Sequence, residues 1–129
     1  MRKRQYIEIA ICVFIVLIMN SCANGHWHEM AEFNGSIDQI TEVFNIPEGS
    51  AQSKWTAYVE PLEEGFYFKC LLRKVGEEDK HIGGLELEYR PGVALSPEKS
   101  GWIIEATGDL YYDIEAQGCN WQIIVESYY

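Results

Sequence analysis

The chain has 129 residues, with 10 Lys and Arg against 20 Asp and Glu and a net charge of −10 at pH 7. That length accommodates one domain at most, and the acidic balance argues against nucleic acid and against electrostatic docking on anionic lipid. Solubility outside the cytoplasm, a calcium ion or a basic partner are each compatible with it, and solubility is the simplest of the three.

The first element is an address. Arg2, Lys3 and Arg4 precede an apolar run from Ile9 to Met19, after which come Asn20, Ser21 and Cys22. Positive charge, a run of about ten apolar residues and then small residues make an export signal. As a helix the run would cover roughly 16 Å, half of a hydrocarbon core of about 30 Å, which disfavours a permanent membrane span. Residues 1–21 are therefore read as a signal peptide with a helical apolar segment. An ordinary secretion signal and an uncleaved anchor are the alternatives. Removing the leader takes three basic residues and Glu8 with it, leaving seven basic and nineteen acidic residues and a net charge of −12.

The ending Leu17-Ile18-Met19-Asn20-Ser21-Cys22 resembles the lipobox of bacterial lipoproteins. The resemblance implies that Cys22 is lipidated and becomes the new N-terminus, and that the domain is held at the cell membrane, facing outside the cytoplasm. Cleavage alone would release the domain, whereas two or more acyl chains, each contributing about 0.8 kcal/mol per buried methylene, hold a protein stably at a bilayer. Ala23 after Cys22 is not the aspartate associated with inner-membrane retention in the lipoproteins it resembles.

Of the four cysteines, Cys12 lies in the apolar run and Cys22 at the lipobox, which leaves Cys70 and Cys119 in the folded part. Outside the cytoplasm a bridge between them is chemically allowed, and in the chain-entropy model it would stabilise by roughly 4 kcal/mol. Two buried free thiols are the alternative. Neither belongs to a C-x-x-C pair, so zinc and thioredoxin-like chemistry have no support.

Residues 22–31 read as a lipidated cysteine and a flexible tether, and residues 32–129 as the domain. His26, His28 and Glu29 in the tether are ligand types for a divalent metal, but ordering a tether around an ion is costly. From Glu32 to Ile46, helical spacing of Ile37, Ile40 and Phe44 competes with the β-formers Thr41, Val43, Phe44 and Ile46, and a strand is the preferred reading.

The remainder alternates. Trp55, Ala57 and Val59 share one parity, Phe66, Phe68, Cys70 and Leu72 another run of it, and Leu85, Leu87 and Tyr89 a third. Turns at Pro61–Gly65, Gly76–Lys80, Pro91–Gly92, Gly108–Asp109 and Gly118–Asn120 separate these from runs at Trp102–Ala106, Leu110–Ala116 and Trp121–Ser127. Seven to eight short strands predict an all-β fold, an antiparallel β-sandwich of jelly-roll-like type, with a closed barrel as the other solution. Trp55, Phe66, Phe68, Trp102, Tyr112 and Trp121 are the expected large core side chains.

The closing segments Gly101-Trp102-Ile103-Ile104-Glu105, Gly108-Asp109-Leu110-Tyr111-Tyr112-Asp113-Ile114 and Gly118-Cys119-Asn120-Trp121-Gln122-Ile123-Ile124-Val125 look like the end of small secreted β-sandwich domains similar to those found after secreted peptidases. Phe33-Asn34-Gly35-Ser36 and Phe44-Asn45-Ile46 look like their opening strand. The resemblance implies fold and location, and brings no catalytic residue.

No G-x-S-x-G, H-E-x-x-H or phosphate-cradling glycine loop occurs, so the chain is read as non-catalytic and without a cofactor or a resident metal. Asp113 and Glu115 lie on an outward parity where solvation is the default, and Glu77, Glu78 and Asp79 form one acidic turn with oxygen ligands suited to calcium. Tyr58, Tyr67, Tyr89, Tyr111, Tyr128 and Tyr129 are the outward aromatics. Tyr67 and Tyr111 are the candidates for stacking on a ligand, against the ordinary reading of cross-strand pairs. The expected function is a lipid-anchored binding or accessory module whose partner is a cell-envelope protein or a glycan. A cryptic hydrolase with acidic catalysis is the remote alternative.

Overall fold

A computed structural model describes residues 25–80, 82–88, 98–104 and 106–129. The signal segment, Cys12, Cys22, His81 and Tyr89 lie outside the described residues. Among the described residues, what alternation predicts appears as nine strands: β1 (Trp27–Gly35), β2 (Gln39–Ile40), β3 (Phe44–Ile46), β4 (Gln52–Pro61), β5 (Tyr67–Lys74), β6 (Gly83–Glu88), β7 (Glu98–Ile103), β8 (Gly108–Gln117) and β9 (Cys119–Tyr128). They form two antiparallel sheets, one in the order β1-β9-β4-β7 and one in the order β2-β8-β5-β6 with β3 also on β8. The count exceeds the seven to eight expected because the stretch from Glu32 to Ile46 is not one strand. It contributes the end of β1 and the two short pieces β2 and β3.

Side chains explain how a broken edge is tolerated. Between β2 and β3, the buried Thr41 accepts a hydrogen bond from Tyr112 N at Oγ1 (2.9 Å) while its own N–H donates to Tyr112 O (2.9 Å). Beyond β2, Asp38 Oδ1 accepts from Ala116 N at 2.8 Å. The backbone of β8 is thus satisfied where no strand faces it, as buried amides require.

The inward parities of the long strands meet in one core. Ala57 and Val59 of β4 and Trp121, Ile123 and Val125 of β9 belong to the same cluster as Phe68, Cys70 and Leu72 of β5 and Leu110, Tyr112 and Ile114 of β8. Each fully buried aliphatic side chain there stabilises by about 1.5–3 kcal/mol. Where the first sheet thins toward its edges, indoles lie over glycines. A Cβ at Gly35 of β1 would meet the Trp121 ring at 2.7 Å, and one at Gly101 of β7 would meet the Trp55 ring at 2.6 Å. A polar rung closes one end of the core, with Ser53 Oγ and Ser127 Oγ hydrogen-bonded at 2.8 Å across the β4–β9 pair.

Two sequence expectations are corrected, and the open choice at Cys70 and Cys119 falls to one of its two alternatives. The segment 22–31 is not a tether throughout: β1 begins at Trp27, and His26 exchanges backbone hydrogen bonds with Tyr129 (2.9 and 3.1 Å). Trp102 is not in the core but 60% exposed, because it lies opposite Lys54, on the outward parity of β4. Cys70 and Cys119 are separate buried thiols, not a bridge. Cys119 Sγ lies 3.5 Å from the Tyr67 carbonyl oxygen, three residues down β5 from Cys70, or about 10 Å of strand. Cystine geometry needs Cα atoms within about 7 Å.

Two expectations about stability follow. At Gly84 of β6 (φ 157°) a Cβ would run into the Cys70 carbonyl oxygen, a backbone atom that cannot move aside. Gly84→Ala is expected to destabilise by about 1–3 kcal/mol, read as a several-degree fall in Tm by circular dichroism. The second concerns alkali. Burial pushes the Cys70 thiol from 9.0 up to about 12, and burial first, with the neighbouring Cys70, also raises the Tyr112 phenol. Both groups stay neutral in the fold when the unfolded chain would ionise. Their contribution to stability is complete below about pH 9 and is lost as pH climbs toward 12. Urea midpoints should fall across that window, and Cys70→Ala should flatten part of the fall.

Candidate functional site

Strand directions give the molecule two distinct ends. β1 starts and β7 and β9 finish at one, here the terminal end; at the other, the crossover end, β4 passes into β5 and β8 passes into β9. Two surface features lie at these opposite ends, and each is built by outward parities of strands whose inward parities make the core.

At the crossover end a cleft of about 470 Å³ is lined by Ile37, Asp38, Tyr67, Glu115, Ala116 and Gln117. Tyr67 opens β5 and pairs with Gln117 of β8 and Glu88 of β6. One rung further in, Lys69 lies between Glu86 and Glu115. Partial burial and then the carboxylates Glu86, Glu115 and Glu88 push the Tyr67 phenol above its ordinary range. Asp38 is fixed by its bond from Ala116 N, and the loop carrying it is tied down by Trp121 Nε1 donating to Ile37 O at 3.4 Å. The cleft therefore has a planar aromatic ring, an amide and carboxylates on a backbone fixed by the core. Its volume falls among small-molecule sites of about 300–1,000 Å³.

At the terminal end the outward face of the first sheet carries an aromatic cluster. Trp27 packs edge-on against Tyr128 (5.4 Å between ring centres) and tilted against Trp102 (6.3 Å), although Trp27 and Trp102 stand on the two edge strands. Lys54, opposite Trp102 on β4, reaches the cluster, with Nζ 4.2 Å from the Trp27 ring centre and 3.9 Å from Glu126 Oε1. A cleft of about 370 Å³ lined by Gln52, Trp102 and Ile104 adjoins the cluster.

The residues singled out from sequence are placed as follows. Tyr67 is in the crossover-end cleft. Tyr111 pairs with Arg73 on the same outward face, six residues along β8 from Gln117 and so about 20 Å from Tyr67. The two tyrosines do not form one platform. Cys70 and Cys119 are in the core. Asp113 is paired with Arg73, whose Nε lies 3.3 Å from its Oδ2, and Glu115 belongs to the Tyr67 cleft.

The metal-ligand types are used otherwise. His28 stacks on the Tyr129 ring at 3.9 Å, and Glu78 accepts a hydrogen bond from Gly76 N at 2.9 Å, which holds its carboxyl below the usual range. Among the described residues no three His, Cys, Asp or Glu side chains converge on one point. The aromatic cluster was missed from sequence because Trp27 stood in the presumed tether and Trp102 in the presumed core. The parity of Trp102 relative to Lys54 and Tyr58 would have shown it only with the strand register in hand.

No family model matches the chain, and neither a curated protein nor a solved structure matches it.

Proposed function

We propose that the chain is a lipid-anchored, non-catalytic binding module of the bacterial cell envelope, held through Cys22 at the membrane and facing outside the cytoplasm. On this reading its two sheets form a β-sandwich of jelly-roll-like type, and its recognition site is the crossover-end cleft around Tyr67. The observation that carries the reading is the composition of that cleft: Tyr67, Gln117, Glu115 and Asp38 around one open space. A ring face for apolar contact beside directional hydrogen-bonding groups is what a sugar ring or a peptide segment needs. Carboxylates dominate the surroundings, with Glu86 and Glu88 beside Tyr67, so a neutral or basic ligand is favoured over an anionic one.

Among such ligands, a cell-wall glycan is the reading the cleft supports best. Stacking on a single exposed ring is worth about 0.5–1.5 kcal/mol beyond area burial for aromatic partners. The amide of Gln117 and the carboxylate of Glu115 line the same cleft as the ring and can hydrogen-bond sugar hydroxyls. Catalysis has less support. Asp113 is engaged by Arg73, and the remaining carboxylates of this face lie beside Lys69 or Tyr67.

The test is retention on purified cell wall. Tyr67→Ala should lower retention about tenfold, the equivalent of roughly 1.4 kcal/mol, while Tyr111→Ala leaves it unchanged and both variants keep the wild-type circular dichroism spectrum. Equal retention by wild type and Tyr67→Ala would remove the glycan reading. Equal losses from both substitutions would remove the cleft as the site.

A further inference from the structure

The terminal-end aromatic cluster is a second surface, and the chain that leads to it limits what can cover it. His26 is fixed by its two backbone bonds to Tyr129, and only four residue steps separate it from Cys22. Four steps reach at most about 14 Å even when fully extended. A chain anchored at Cys22 therefore carries the terminal end of the first sheet within that distance of its anchor.

The side chains gathered there suit such a position. Trp102 is 60% exposed, Ile104 72% and Tyr129 48%, and Trp27 and Tyr128 complete the group. Indole and phenol rings combine an apolar body with one polar edge, which is why they concentrate at the level of lipid headgroups. The cation among them is already engaged, since Lys54 is shared between the Trp27 ring and Glu126. The acidic turn Glu77–Asp79 follows β5 at the same end of the second sheet. These charges oppose contact with anionic lipid and confine any contact to the first sheet.

We infer that the Trp27–Trp102–Tyr128 face, with Ile104, docks into the headgroup region of a zwitterionic bilayer and orients the Tyr67 cleft away from it. This inference rests on the lipid-anchor reading and adds to it an orientation that an anchor alone does not impose. Docking by rings rather than by charge makes it insensitive to salt, in contrast to a polybasic patch.

The test uses the full-length chain, produced in a bacterium that processes lipoproteins and purified from its membrane fraction. Partition into the detergent phase of Triton X-114 reports the acyl chains. The same preparation is then reconstituted into phosphatidylcholine vesicles brominated near the top of the acyl chains, and tryptophan emission is compared with that in unbrominated vesicles. Docking predicts quenching that persists in high salt, with the quenchable part falling by about half in Trp102→Phe and again in Trp27→Phe, as expected for interfacial indoles. Detergent partition with no quenching, or with quenching unchanged in both variants, would overturn docking and leave the anchor standing. Crosslinking of two copies through Trp102 with unquenched emission would also overturn it, in favour of a dimer face. Failure to partition into detergent would overturn the anchor and the docking with it.

Discussion

Everything in this fold depends on how abruptly the chain changes sheets between β8 and β9, two of its three longest strands. β8 ends at Gln117 and β9 begins at Cys119, so one residue, Gly118, carries the chain from one sheet to the other. Its φ of +65° is a conformation that side chains with a Cβ rarely adopt, and a Cβ there would also run into Glu63. Leu62 N donates to Gly118 O at 2.8 Å, tying the second crossing, from β4 to β5, to the first. With both crossings pinned together, the inward parities of β4 and β9 face those of β5 and β8, and the core follows. The Tyr67 cleft sits directly beside these crossings. Its ring and amide come from the first residue of β5 and the last of β8.

Much of this was legible in the sequence wherever a strand alternated. β4, β5, β8 and β9 have buried residues at the positions that parity assigns: Ala57 and Val59, Phe68 to Leu72, Leu110 to Ala116, Trp121 to Val125. Period-2 burial is a local property, and local sequence carries it. Where it was illegible, a non-local quantity decided. Trp102 stands in a run, Trp102-Ile103-Ile104, in which parity does not identify the inner face, and only the register against Lys54 does. β1 was hidden because its register shifts between Glu29 and Ala31, and a bulge reverses parity midway through a strand. The two thiols are both as buried as a bridge would make them, yet their separation along β5 is set by pairing that no spacing of cysteines reveals.

The candidate site was legible by residue and illegible by assembly. Tyr67 could be named as outward from its neighbours Phe66 and Phe68. Its partnership with Gln117, Glu115 and Asp38, which come from a strand and a loop distant in sequence, is a consequence of the β5–β8 register and of the Asp38 bond to Ala116. Tyr111 is outward on the same grounds and falls at the other end of the same face. The resulting molecule has a polar, acidic end and an aromatic end. The first is positioned by the crossovers, and the second by the start of β1 and the ends of β7 and β9. Such polarity suits a small domain that works at a surface, because one end can rest while the other is presented.

The central claim is that this polarity serves a lipid anchor at Cys22. Its most direct measurement is the intact mass of the native protein taken from a membrane fraction, recorded before and after reduction. The account predicts a chain beginning at Cys22 and carrying acyl groups, with a mass that reduction leaves unchanged because Cys70 and Cys119 are separate thiols. An uncleaved chain, or a cleaved one without acyl groups, would contradict the anchor, and a gain in mass on reduction would contradict the core as described.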